Sequence, residues 1–214
     1  MWRAYNVCMP FARSRPPAPA PEELDTERAL SFANTLSARP TASPVERLVS
    51  YDALLAWTRE AGLLKTDDVE RLSARGRRRT ADGSRIVERA RALRELVHDT
   101  FMATSAGRSP KAETLAALSA HLSAWYPHGR LVSTGDSLQW TYGGEDDLER
   151  PLWEISRAVS RLLTSPRLAR VHACAAEDCA WWFFDDTKNG SRRWCDMKIC
   201  GNRDKVRRYR ARQK

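Results

Sequence analysis

The 214-residue chain has no run of about eighteen consecutive apolar residues, which excludes an ordinary membrane-spanning helix. Its first residues lack the unbroken apolar core of a secretory signal, so the expected compartment is a reducing cytoplasm. None of its five cysteines forms the C-x-x-C spacing of a redox dithiol. It contains no nucleophile elbow, no glycine-rich loop that would cradle a phosphate and no convergent pair of acids, and the expectation is a protein without enzymatic activity. No internal repeat is evident. These absences leave a binding function as the main expectation.

What is present is ordinary in amount and unusual in position. A chain with 42% hydrophobic residues is long enough for one domain with a real core plus a small second module. The formal charge is +9, and residues 201 to 214 hold seven Lys or Arg against Asp204 alone. Such asymmetry points to a polyanion met by the C-terminus, with nucleic acid the leading candidate over a solubilising tail.

Residues 1–21 are rich in proline (Pro16, Pro17, Pro19, Pro21) and contain Cys8, and they read as a disordered lead-in. A transit peptide is the weaker alternative, because the stretch lacks an amphipathic period. Residues 22–165 read as a mainly α helical bundle with a small β-hairpin. Leu24, Leu30, Phe32 and Leu36 mark its first helix, and Ser43 with Pro44 is expected to open the second, which stops at Gly62. Arg75, Arg77, Arg78 and Arg79 bridge to the clearest stripe, Ile86, Ala90, Leu93, Val97 and Phe101, which is one face of a core helix. Leu115, Leu118, Leu122 and Trp125 form another stripe after Pro110. Residues 130–142 read as two strands around Gly135-Asp136. Leu152, Ile155, Val159 and Leu162 mark the last long helix, which ends before Pro166.

Residues 166–214 carry the remaining cysteines as Cys174, Cys179, Cys195 and Cys200, in the pattern C-x4-C-x15-C-x4-C. Two close pairs separated by a loop supply the four soft ligands of a structural zinc site, and four sulfurs leave no open position for catalysis. His172 offers a substitute ligand, but its expected place is beside the site. Asn189-Gly190 is a tight-turn pair, and a hairpin around it would bring the cysteine pairs together. Trp181, Trp182, Phe183 and Phe184 would then divide between a dry shell over the thiolates and a contact with the bundle.

After Gly201 the sequence NRDKVRRYRARQK favours a basic helix. Asn202 is a plausible cap, Val206 and Tyr209 would pack on the hairpin, and Arg203, Arg207 and Arg210 would share another face with Lys214 one turn on. Its nucleic-acid contacts are expected from Arg192, Arg193, Asn202, Arg203, Lys205, Arg207, Arg208 and Arg210, since arginine forks match phosphate oxygens and guanine edges.

The stretch FDDTKNGSRRWCDMKICGNRDKVRRYR closely resembles the CGNR zinc finger, whose tetrad is here Cys200, Gly201, Asn202 and Arg203. The segments LSFANTLSAR and LLAWTREAGLL resemble the helical ABATE domain, which precedes this finger in bacterial proteins regarded as stress-induced transcription regulators. The resemblance implies a zinc ion on the four cysteines, a double-stranded DNA partner and a cytoplasmic, nucleoid-associated regulator. The helical domain would sense a small-molecule ligand or form a homodimer. Asn34, Thr35 and Arg39 match the ABATE motif and offer a ligand pocket, although the favoured reading gives Asn34 and Thr35 ordinary local hydrogen bonds. His98 is expected at the surface without a functional role. RNA binding, with Trp181 or Tyr209 stacking on unpaired bases, is one alternative; a zinc-stabilised protein-interaction module is the other.

Overall fold

The computed structural model describes residues 20–213 apart from 136, 143 and 145. The lead-in with Cys8, Asp136 of the hairpin turn and Lys214 therefore lie outside the described residues, apart from residues 20 and 21. No helix among the described residues is long and apolar enough to cross a membrane.

Helix α1 spans Pro21–Ala33, with proline at its start and Glu22 and Glu23 in the first turn, where they complement the helix dipole. Strands β1 (Leu36–Ser37) and β2 (Val45–Glu46) form a two-rung antiparallel ladder. Helix α2 follows at Tyr51–Glu60, capped by Ser50, whose Oγ accepts from the Ala53 N–H at 3.1 Å. The Ser43-Pro44 start is thus corrected by seven residues. Proline presses the residue before it into extended backbone, which suits the approach to a strand as well as a helix start.

Gly62 ends this turn in the left-handed region at φ +63. Arg28 satisfies the exposed helix end by donating to the carbonyls of Ala61 (3.1 Å) and Gly62 (2.7 Å). Helix α3 (Thr66–Arg78) contains most of the basic cluster read from the sequence as a bridge, and Arg79 alone separates it from α4 (Thr80–Ser105). Its buried stripe, Val69, Leu72 and Gly76, is too thin to stand out against so many charges.

Ile86, Ala90, Leu93, Val97 and Phe101 all lie in the core, as their spacing predicts. Helix α4 packs against α1, α2 and α3, then against α5 (Ala112–Ser123) and α6 (Arg150–Leu163). On α5 only Leu118 is buried, while Leu115 is 44% exposed. Trp125 lies past its end and joins Tyr142 and Trp153 in a separate aromatic cluster. Between α5 and α6, strands β3 (Gly129–Thr134) and β4 (Ser137–Tyr142) pair antiparallel in the region expected. Leu152, Ile155, Val159 and Leu162 of α6 are buried, and this helix packs along α1.

Arg94 on α4 is 3% exposed and makes a two-pronged contact with Glu46, at 2.7 Å on each prong. It also donates to Thr35 Oγ1 (3.2 Å) and Glu95 (2.9 Å), and Arg39 pairs with Glu95 at 2.6 Å. Burial alone would raise the Glu46 carboxyl, but the hydrogen bond from Arg94 and the nearby positive charges hold it below the usual carboxylate range. Thr35 and Arg39 of the ABATE-like motif are engaged in this network, which pins the short β1–β2 ladder to α4.

The chain then enters its last module through a turn at Pro166–Arg170. Strands β5 (Val171–Ala173) and β6 (Trp182–Phe184) pair antiparallel, and a helical turn at Met197–Gly201 runs straight into α7 (Asn202–Ala211).

Candidate metal centre and C-terminal helix

The loop joining β5 to β6 carries the first cysteine pair. Cys174 donates its N–H to the Trp181 carbonyl at 2.8 Å, and Cys179 donates to Ala176 at 3.1 Å, so the chain folds back with both thiols on one side. The second pair is presented by Asp196, whose Oδ1 accepts from the N–H groups of Lys198 (2.7 Å) and Ile199 (2.9 Å). That cap starts the turn that delivers Cys200.

The hairpin therefore encloses the first cysteine pair instead of turning at Asn189-Gly190. A turn does occur there, with Gly190 at φ +61, but its flanks form no ladder. Asp185 closes it instead, accepting from the N–H groups of Thr187 (2.8 Å) and Arg192 (2.9 Å). A buried carboxylate replaces the cross-strand bonds that the sequence suggested.

The four sulfurs lie within 4.8 Å of one another, with Cys179–Cys195 and Cys195–Cys200 at 3.7 Å. Zinc–sulfur bonds of about 2.3 Å at tetrahedral angles place sulfurs about 3.8 Å apart, so the cluster fits the ion. His172 takes no part; it sits on β5 opposite Phe183. Burial opposes ionisation of Cys174, but hydrogen bonds from the backbone at Ala176 and Cys195 outweigh it and lower its value. Burial, with the neighbouring Cys174 charge adding to it, pushes Cys179 up to about 11, and the same causes drive Cys195 further upward. Without a cation the cluster cannot hold four thiolates, and a divalent ion removes that conflict. Arg203 donates to Cys200 Sγ at 3.3 Å, which ties α7 to the sulfur cluster.

The aromatic run divides between two surfaces. Phe183 is buried with Cys174, Ala176 and Cys200, and half-buried Trp181 and Trp194 complete this shell. Trp182 points the other way and is 2% exposed in the bundle core. There its ring lies edge-on to Phe101 with centroids 5.3 Å apart, and its Nε1 donates to His98 Nδ1 at 3.0 Å. His98, expected at the surface, is half-buried as the acceptor for this indole. Asn34 completes the seam: its Nδ2 donates to the Trp182 carbonyl (2.9 Å), and its Oδ1 accepts the Trp182 N–H (2.8 Å). One amide side chain thus acts as a strand partner for the edge of β6, joining the modules. Asn34→Ala should cost about 1–3 kcal/mol, because two backbone groups lose their partners. Urea titration of the zinc-loaded variant checks this, and a midpoint equal to wild type would show that the seam contributes nothing.

The expected nucleic-acid contacts have different local roles. Arg192 donates to the carbonyls of Trp194 (3.0 Å) and Cys195 (2.5 Å), fastening the loop internally. Arg193 lies over the Trp194 ring at 5.3 Å. Asn202 donates to the Lys198 carbonyl at 3.0 Å, and Arg203 pairs with Asp178 at 3.1 Å. Arg207 pairs with Glu177, and Arg208 with Asp204. Lys205 and Arg210 are exposed. Glu177 and Asp178, between the first two ligands, escaped notice in the sequence, where only an acidic pair beside a basic tail hinted at them.

Val206 and Tyr209 do not pack on the hairpin. They are 49% and 64% exposed, and α7 contains no buried residue. The helix continues the turn that carries Cys200 and packs mainly on that turn, so its apolar side is left uncovered.

Comparison with protein families matches residues 170–213 to the CGNR zinc finger and residues 26–166 to the ABATE family, described as "Putative stress-induced transcription regulator". A comparison with curated proteins gives no match. With more than half its length matched, the chain belongs to the ABATE family and ends in a CGNR zinc finger.

Proposed function

We propose that the protein is a DNA-binding transcription regulator, with the zinc finger as its grip on duplex DNA and the helical domain as its sensor or dimerisation module. The observation that carries this reading is α7: a helix anchored at one end by the metal turn, with no buried residue, in a tail bearing most of the chain's net charge. When bound, zinc supplies structural rigidity and charge neutralisation at the thiolates. The chain's own residues do the rest. Lys205, Arg208 and Arg212 are exposed and would meet phosphates, while the convex helix suits a major groove. Arg192, occupied internally, is left out of this surface. The family description supports a regulatory role in stress, and the reading requires no catalysis. Such a protein would act in the cytoplasm at the nucleoid.

A second reading has one observation in its favour: Tyr209 stands exposed beside arginines, as a stacking platform for unpaired RNA bases would. Titration of the zinc-loaded protein against duplex DNA and single-stranded RNA at several salt concentrations separates the two. The expected result is tighter duplex binding with a steep salt dependence, whose slope falls by about one on Lys205→Ala. Deleting residues from Arg203 onward should abolish binding and leave the metal in place. Tight duplex binding by that truncation, or preference of the intact protein for RNA, would overturn the proposal.

A further inference from the structure

Every member of the Cys-Gly-Asn-Arg tetrad has a task inside the finger. Cys200 belongs to the sulfur cluster. A Cβ on Gly201 would run into the Met197 sulfur. Asn202 closes the turn by donating to Lys198, and Arg203 reaches both Cys200 Sγ and Asp178. The next arginine along that side, Arg207, is paired with Glu177, and Asp204 with Arg208 forms an i, i+4 pair elsewhere on the helix. These contacts orient α7. They also occupy the arginine face that the sequence offers most readily to DNA.

The flank of that face toward Val206 is left open. Val206 and Arg210 lie one turn apart, and Tyr209 is three residues from Val206, so Val206 adjoins both. All are exposed, Arg210 has no ion-pair partner among the described residues, and Ile199, 62% exposed, shares a shallow groove with Arg203, Val206, Arg207 and Arg210. Exposed isoleucine, valine and tyrosine gain nothing for folding in these positions. Their chemistry matches the floor of a major groove, where an aliphatic side chain meets the thymine methyl and a guanidinium fork meets guanine O6 and N7.

We infer that Val206, Tyr209 and Arg210, with Ile199 at the rim, form the base-reading face of α7 in the major groove of duplex DNA, and that Arg203 and Arg207 are positioning residues that brace the helix on Asp178 and Glu177. The occupant follows from charge complementarity: Lys205, Arg208 and Arg212 flank this face in a tail of strong positive charge, so a polyanion with a groove is what fits. The inference rests on the DNA-binding reading above and assigns specificity within it.

The test is selection of binding sites from a random duplex pool by zinc-loaded full-length protein, run beside Val206→Ala, Arg210→Ala and Arg207→Ala, each first checked for zinc content. Wild type should enrich a discrete site. Arg210→Ala should relax preference at one position by about 5- to 150-fold, and Val206→Ala should relax it by less at a second position. Arg207→Ala should weaken all sequences alike and keep the same site. Unchanged base preferences in the first two variants, or a shifted preference in Arg207→Ala, would overturn the assignment while leaving DNA binding intact. Enrichment of no site by a wild type that still binds duplex would do the same. A wild type that retains no duplex defeats the DNA-binding reading itself. If wild type sediments as a dimer and Val206→Ala as a monomer, the face is a contact between copies and the assignment falls.

Discussion

Removing the metal should strip hydrogen-exchange protection from residues 174–181 and 185–211, while β6 keeps its protection through Trp182 and α4 through Leu93, Val97 and Phe101. The finger's own apolar cluster is small: Cys174, Ala176, Phe183 and Cys200, two of them proposed ligands. With zinc gone, sulfurs crowded at 3.7 Å become thiols whose burial opposes charge, and nothing of comparable strength closes the loop between the cysteine pairs. In small zinc domains, apparent metal-binding free energies of about 10–16 kcal/mol are also folding free energies, and the effect here belongs to that class. Helix α7 should melt with the site. A ten-residue helix is marginal alone, its arginines repel one another, and its anchor is the turn that Asp196 and Cys200 build. Exchange measured by segment, with and without chelator, decides this. Metal-free protein that still protects residues 195–211 would show that the finger stands without the ion. The loss should stop near β5 and β6, because Val171 and Trp182 belong to the helical core.

The second large effect is at Trp182 itself. Trp182→Ala should destabilise the whole chain by about 3–5 kcal/mol, since it removes a side chain 2% exposed from the main core and leaves a cavity beside Phe101. It also strands His98, whose Nδ1 loses its donor. Unfolding followed by tryptophan-independent circular dichroism should show one shifted transition; a midpoint like wild type would mean that the two modules do not share a core. Trp182→Phe separates packing from hydrogen bonding and should cost less. Acid should weaken the same seam. Burial first, and the Arg39 charge second, hold the His98 imidazole below its ordinary value. The unfolded state thus takes up a proton more readily. This contribution is fully present above a pH of about 6.5 and is lost as pH falls through the lower folded value.

Much of this architecture is written locally. The stripe from Ile86 to Phe101 and the one from Leu152 to Leu162 repeat with the period of an α-helix, so the buried faces of α4 and α6 follow from spacing alone. Two cysteine pairs, each with four intervening residues, specify a four-sulfur site for the same reason: the ligands are brought together by short turns. The basic character of α7 is likewise a property of adjacent residues.

Tertiary structure decided where each of these pieces is used. Asn34 meets Trp182 across 148 positions and His98 meets it across 84, and no period links such residues. Asn189-Gly190 is a sound turn signal, yet the ladder formed around the first cysteine pair because Trp182 gains the bundle core as its cover and Asp185 can close the later turn without strands. Val206 and Tyr209 make an apolar stripe that asks for a partner. A stripe states which side of a helix is apolar, but whether anything covers it depends on the direction in which the preceding turn sends the helix, and here α7 turns its arginines to Asp178 and Glu177 of the hairpin loop and leaves Val206 and Tyr209 uncovered.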